Sequence, residues 1–125
     1  MRRLFIAAAQ LALAGSALCA TFDVDGDLMR GVDDTAKSLD SNVAQKDAKA
    51  AAADARSLVD TFAHVESHYA EKPETADAVG FAHHTQELAA QTLKAIEAND
   101  FDAAGDSAAQ LTRSCKSCHE VYKKD

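Results

Sequence analysis

The sequence predicts an all-α protein that folds as an antiparallel up-down-up-down four-helix bundle. Nearly every segment after Val24 is rich in Ala, Leu, Lys, Glu and Asp, and none shows the alternating β-branched and aromatic residues of strands. Apolar residues recur at three- and four-residue steps in four stretches of about 20 to 25 residues. Short connections between four such stretches favour antiparallel neighbours.

The first two predicted helices each carry one apolar stripe. The first helix covers about residues 25–45, and the second stripe runs from Ala51 to Tyr69. These stripes consist of Leu28, Val32, Thr35 or Ala36, Leu39 and Val43 in the first helix, and of Ala51, Ala55, Leu58, Phe62, Val65 and Tyr69 in the second. The break at Glu71-Lys72 follows, and Pro73 is expected in the first turn of the third helix.

The third and fourth predicted helices complete the bundle. The third covers about residues 74–98, and its apolar face is interrupted by Gln86. Asn99-Asp100 then supplies a turn and a helix cap. The two apolar faces are Val79, Ala82, Ala89, Leu93 and Ile96 in the third helix, and Phe101, Ala104, Ala108, Leu111, Cys115, Cys118 and Tyr122 in the fourth. Both cysteines are therefore expected to face the core.

The N-terminus has the pattern of a secretory signal peptide over residues 1–20. Arg2 and Arg3 precede an apolar stretch that ends in small residues. The stretch is shorter than the roughly 20 apolar residues of a membrane-spanning helix, although an uncleaved anchor and lipidation at Cys19 are alternatives. We expect a periplasmic protein without a membrane segment after cleavage, and one domain at residues 21–125.

The charge of the chain limits its partners. The formal net charge is −7, and removal of Arg2 and Arg3 with the signal peptide changes it to −9. An acidic surface repels the phosphates of nucleic acids and of anionic lipids. It therefore favours solubility or a basic protein partner, and we expect no nucleic-acid binding.

Cys115-Lys-Ser-Cys118-His119 is the most informative motif of the sequence. Two thiols three positions apart on a helix lie on one face, so each can add to one vinyl group of the same haem. His119 follows directly and can become an axial ligand of the iron. A disulfide, a redox Cys-x-x-Cys and a zinc site are the alternatives. A disulfide would be strained in a helix, a redox pair normally begins one, and zinc needs further ligands.

This chain resembles the class II cytochromes c, which comprise the cytochrome c-prime group and its low-spin relatives. The specific part of the resemblance is the segment from Leu111 to Lys123, which surrounds the haem motif. The resemblance implies one covalently bound haem c at one end of the bundle. It also implies that Lys123 lies near the proximal face of the haem, and that a homodimer can form through the first two helices.

The resemblance also makes the first helix decisive for function. An apolar residue opposite the haem leaves the iron five-coordinate, whereas a methionine closes its sixth position. Met29 is the one methionine after the predicted cleavage site, and the antiparallel topology puts it at the level of His119. We expect Met29 to be the distal ligand. Packing of Met29 without ligation and bis-histidine coordination remain alternatives; His64 is the best placed of the histidines, which also include His68, His83 and His84.

The predicted function is electron transfer between redox partner proteins outside the cytoplasm, by a monohaem cytochrome that is not an enzyme. The alternative is a five-coordinate protein that binds small gases such as NO or CO.

Overall fold

The computed structural model describes residues 23–122, and these residues form four α-helices and no strand. The helices are α1 (Gly26–Ala44), α2 (Ala48–Ala70), α3 (Ala76–Glu97) and α4 (Phe101–Tyr122). The predicted all-α fold is therefore confirmed. The predicted signal peptide, residues 1–20, lies outside the described residues. Within residues 23–122, no helix combines the length and the apolar character that crossing a bilayer requires.

The same three-residue turn joins α1 to α2 and α3 to α4. In each turn the middle residue adopts a left-handed conformation, with φ of 58° at Lys46 and 59° at Asn99. Backbone bonds from Asp47 N to Asn42 O and from Asp100 N to Ala95 O, both 2.9 Å, close the two helix ends as Schellman motifs. Such short turns make both helix pairs antiparallel.

The third residue of each turn caps the next helix. An Asp47 carboxylate oxygen accepts from Ala50 N at 3.0 Å, and Asp100 accepts from Ala103 N at the same distance. At the start of α1, Asp25 accepts from Leu28 N at 2.8 Å. These aspartates satisfy amide groups that a helix start leaves unpaired, so they explain why three of the four helices begin where they do.

The connection between α2 and α3 is less regular. Pro73 begins a 3-10 helix, Pro73–Thr75, and not α3 itself as the sequence suggested. Thr75 N donates to Lys72 O at 3.0 Å, which tightens the chain into this turn. No side chain caps α3, which begins at Ala76.

The helices pack in a ring, in which each contacts the two beside it. We call the end of the bundle that contains Lys46 and Asn99 the closed end, and the end that contains Tyr122 the motif end. α3 packs against α2 and α4 more extensively than α1 packs against the same two helices. The loosest seam of the bundle lies between α1 and α4.

The buried face of α3 differs from the predicted one. Val79 and Leu93 are half-buried, whereas Thr85 and Thr92 are almost completely buried. Each threonine hydroxyl donates to the backbone oxygen four residues earlier, at 2.8 Å. A satisfied hydroxyl can be buried at little cost, so the face turns toward these threonines. The predicted residues Ala82, Ala89 and Ile96 are buried.

Candidate functional site

The Cys-x-x-Cys-His motif lies near the C-terminal end of α4, which continues without a break to Tyr122. Cys115 and Cys118 are free thiols, and both are half-buried. Their three-residue spacing presents both sulfur atoms on one side of the helix. The motif thus has neither a disulfide nor the helix N-terminus that activates a redox cysteine pair.

The two thiols are weak acids in the folded chain. Burial and, to a lesser extent, the neighbouring Cys118 raise the pKa of Cys115 to about 11. Burial also raises the pKa of Cys118. Both groups are therefore protonated at neutral pH, whereas a redox Cys-x-x-Cys relies on a lowered pKa. They must be activated before they can form a bond.

The burial of α4 changes sharply along its core-facing stripe. Ala104, Ala108 and Leu111 are between 0% and 2% exposed. Cys115, the next residue on this stripe, is only half-buried, and the same is true of Cys118 and Tyr122. Along this stripe, tight packing therefore ends at Leu111, one turn before Cys115, although the apolar stripe continues through the motif.

The apolar residues of α1 and α2 are also less buried at the motif end. Leu28 and Met29 of α1 are half-buried, as is Tyr69 of α2, whereas Val32 and Val65, about one turn further inside, are buried. α3 behaves differently, because Ala78 in its first turn is only 1% exposed. The half-buried apolar surface at the motif end therefore lies on α1, α2 and α4, and we call this surface the opening.

The residues at this opening fit a covalently attached haem. The side chains at the opening are mainly apolar, and they pack against the core while part of their surface stays exposed. They are Val24, Leu28, Met29, Tyr69 and Cys115. A flat apolar ring would cover that surface, and two thiols on one face supply its attachment points. Among residues 23–122 no group of three or more His, Cys, Asp or Glu residues is arranged to hold a metal ion. Haem iron needs only one or two side chains, because the porphyrin supplies its other ligands.

His119 lies one turn beyond Cys115 and is exposed. Beside it, the rings of Tyr69 and Tyr122 lie 6.0 Å apart between centroids. Burial raises the pKa of Tyr69, and Cys118 and Tyr122 add to this effect, so the three groups lie close together. Tyr69 was predicted as a core residue of the second stripe, without a role at the site. Its position as the last apolar residue of the α2 stripe was the available signal.

The register of α1 against α4 places Met29 at the level of His119. Gly105 of α4 lies opposite Val43 of α1, whose Cγ1 would be 3.9 Å from a Cβ added to Gly105. Met29 precedes Val43 by 14 residues, and His119 follows Gly105 by the same 14 residues. Because antiparallel helices rise equally per residue, the two residues lie at one height in the bundle.

Met29 also lies on the side of α1 that faces α4. The opposite side contacts α2, where Asp54 Oδ2 accepts from Ser38 at 2.7 Å and from Asn42 at 2.8 Å. On the α4 side, the charge of Asp33 is close enough to contribute to the raised pKa of Cys115. Met29 precedes Asp33 by one turn, so the two residues share this side.

The four remaining histidines of residues 23–122 are half-buried or exposed. His83 bridges α2 and α3 on the outside, with Nδ1 3.2 Å from Glu66 Oε2 and Nε2 3.5 Å from Glu87 Oε1. His68 Nε2 lies 2.7 Å from Lys72 Nζ. His64 and His84 are exposed. Lys123, the predicted basic residue near the proximal face, lies outside the described residues.

No family model, curated protein or solved structure matches this chain. Its function must therefore be inferred from its own residues.

Proposed function

We propose that this chain is an exported monohaem cytochrome of the class II type that transfers electrons between redox partner proteins. Cys115 and Cys118 would attach the haem, and His119 and Met29 would bind its iron. The bound group supplies a one-electron couple between ferrous and ferric iron. The chain itself transforms no substrate.

One observation carries the proposal: the protein core ends at the Cys-x-x-Cys-His motif while the apolar stripes of three helices continue. At the closed end of the bundle the stripes are buried close to the helix ends, as Val43 and Ala104 show. At the motif end they leave apolar surface uncovered beside two free thiols. That combination is what a covalently bound apolar ring requires.

Each residue of the site has a separate task. The two cysteine sulfurs would hold the ring on one face of α4 through thioether bonds, and His119 of the same helix would bind its iron. Met29 of α1 would supply a second ligand. Leu28, Val65 and Tyr69 would exclude water from the ring, which raises the reduction potential, as does a methionine ligand compared with a second histidine.

Gas binding is the second candidate function. The weak packing of α1 favours it, because Val32, Leu39 and Val43 are the residues through which the described part of this helix is buried. A helix with so little buried surface can move Met29 away from the iron and leave a position for NO or CO. The two functions therefore differ in whether Met29 stays bound.

The primary test is the mass of the chain after export from cells that attach c-type haem. We expect the mass of one haem to be added and to survive extraction with acidified acetone. The double variant Cys115→Ala/Cys118→Ala should lose it, whereas Ser117→Ala, a control within the motif, should keep it. An unmodified wild-type chain would overturn the proposal.

Met29→Ala distinguishes the two functions. If Met29 binds the iron, the wild-type protein shows a sulfur-to-iron absorption band in the red, and the variant loses this band and becomes high-spin when reduced. Leu28→Ala is the neighbouring control and should keep the band. A low-spin spectrum that persists in Met29→Ala would instead indicate a histidine, which His64→Ala would test. A wild-type protein that is already high-spin and binds CO readily would favour gas binding.

A further inference from the structure

A buried pair of hydroxyl groups joins α3 to α4 directly beside the motif. Thr85 of α3 is 1% exposed and Ser114 of α4 is 6% exposed. Their side-chain oxygens lie 2.6 Å apart. Ser114 immediately precedes Cys115, so this contact lies next to the first attachment point.

The hydrogen bonds of this pair run in one direction. The Thr85 hydroxyl donates to Phe81 O at 2.8 Å. Its single proton is thereby used, so Thr85 Oγ1 accepts and Ser114 donates. The chain of bonds thus runs from Ser114 through Thr85 to the backbone of α3. No buried side-chain nitrogen or oxygen among the described residues lacks a partner, so the pair is fully satisfied.

Apart from Ser114, the buried side chains of α4 are mainly small. The buried residues of α4 other than Ser114 are Ala104, Ala108 and Leu111, and two of these three are alanines. Small side chains pack without strong interlocking, whereas a buried hydrogen bond has one satisfactory geometry. Ser114, Cys115 and Cys118 belong to one continuous helix. Any rotation of α4 about its axis would therefore turn both cysteines together with Ser114.

We propose that Thr85 is a positioning residue for the haem-attachment motif. Through Ser114 it fixes the rotation of α4, so that both cysteines face the opening bordered by α1 and α2. The inference rests on the proposed function for the meaning of that orientation. The orientation itself is a property of the chain without haem and can be measured separately.

The test uses Thr85→Val, which keeps the shape of the side chain and removes its hydroxyl. Thr92→Val is the matched control, because Thr92 is also buried on α3 and bonds only to the Leu88 backbone oxygen. Iodoacetamide alkylation of Cys115 and Cys118 in the haem-free full chain is followed separately by peptide mass spectrometry. Rotation exposes one thiol and buries the other, whereas general loosening makes both react faster.

We expect Thr85→Val to change the ratio of the two alkylation rates severalfold, while Thr92→Val leaves the ratio at its wild-type value. Thr85→Ser retains a hydroxyl and should restore the ratio. Ser114→Ala, which removes the donor and leaves no unpaired proton, should change the ratio as Thr85→Val does and serves if that variant fails to fold. An unchanged ratio, or equal changes in the Thr85 and Thr92 variants, would overturn the inference.

In the haem-loaded protein, the reduction potential provides a second measurement. Thr85→Val should shift the potential, and Thr92→Val should not. If the wild-type chain takes up no haem, the proposed function fails, and the alkylation ratio still decides whether Thr85 orients α4. If haem is attached and the ratio is unchanged in Thr85→Val, only the positioning role is wrong.

Discussion

The two ends of the bundle are built from the same four helices but reach different degrees of packing. At the closed end, Val43, Ala51, Ile96 and Ala104 are all buried, and two identical turns with aspartate caps join the helices. At the motif end, the corresponding residues of α1, α2 and α4 are half-buried, and α3 begins without a side-chain cap. The contrast shows that an apolar pattern alone does not produce a closed core. The pattern shows which surface is apolar and favours being covered. At the motif end, we propose that a haem covers this surface.

Truncating a buried leucine in the middle of the bundle and a half-buried leucine at the motif end should give the largest difference in the free energy of unfolding. Leu58 is 1% exposed, so Leu58→Ala should reduce the free energy of unfolding by about 2 to 5 kcal/mol, through lost burial and the cavity that remains. Leu28 is half-buried, and Leu28→Ala should cost clearly less in the haem-free chain. Urea denaturation measures both. Equal losses would show that the motif end is packed as well as the rest.

Alkaline pH should lower the free energy of unfolding of the haem-free chain. Burial raises the pKa of Cys115 from its ordinary value of 9.0 to about 11. The folded chain therefore holds this proton after the unfolded chain has released it, so its stabilising contribution is complete below pH 9 and is lost between about pH 9 and 11. At about 1.4 kcal/mol per pKa unit, the loss should be about 3 kcal/mol, and urea denaturation across this range measures it.

Two controls isolate the cysteine in that experiment. Cys115→Ser removes the titrating thiol, so the pH dependence should become shallower; Tyr69, whose pKa is also raised by burial, supplies part of the remainder. Haem-loaded protein should likewise lack the cysteine contribution, because thioethers do not titrate. A Cys115→Ser chain with the wild-type alkaline profile would contradict this explanation.

Replacement of the left-handed residues at the closed end should have the smallest effect. Lys46→Gly removes the steric penalty of a side chain at φ 58° and should stabilise the chain by about 0.5 to 1 kcal/mol. Asn99→Gly should gain less, because asparagine tolerates this conformation better than lysine does. Thermal unfolding can rank the two variants. A destabilised Lys46→Gly would mean that the lysine side chain contributes contacts that outweigh the strain.

Sequence reasoning found the parts of this fold that depend on local chemistry. Asn99-Asp100 was predicted as a turn and helix cap because Asn and Asp side chains favour these positions. The apolar stripe of α4 was predicted from its three- and four-residue spacing. The burial of Thr85 and Thr92 was missed, because a hydroxyl that bonds to its own helix behaves as an apolar group that no periodicity reveals.

The details of the candidate site depended on neighbouring helices. Leu28 and Met29 are adjacent in sequence, so spacing alone could not decide which of them faces α4. The contact between α1 and α2 indicates the answer, because the hydrogen bonds of Ser38 and Asn42 to Asp54 place α2 on the side of α1 away from Met29. The position on the α4 stripe at which tight packing ends could not be predicted either, because the burial of a residue depends on the side chains that the other three helices place around it.

The weak packing of α1 also has a consequence for the order of folding. α2, α3 and α4 share the most extensive contacts and include the Thr85 to Ser114 hydrogen bond. We expect these three helices to form the folding nucleus and α1 to dock after the transition state. Truncations in α1 such as Val32→Ala would then accelerate unfolding while leaving the refolding rate nearly unchanged, which corresponds to φ-values near zero. If haem binds as we propose, the last helix to pack in the haem-free chain is the one that carries Met29.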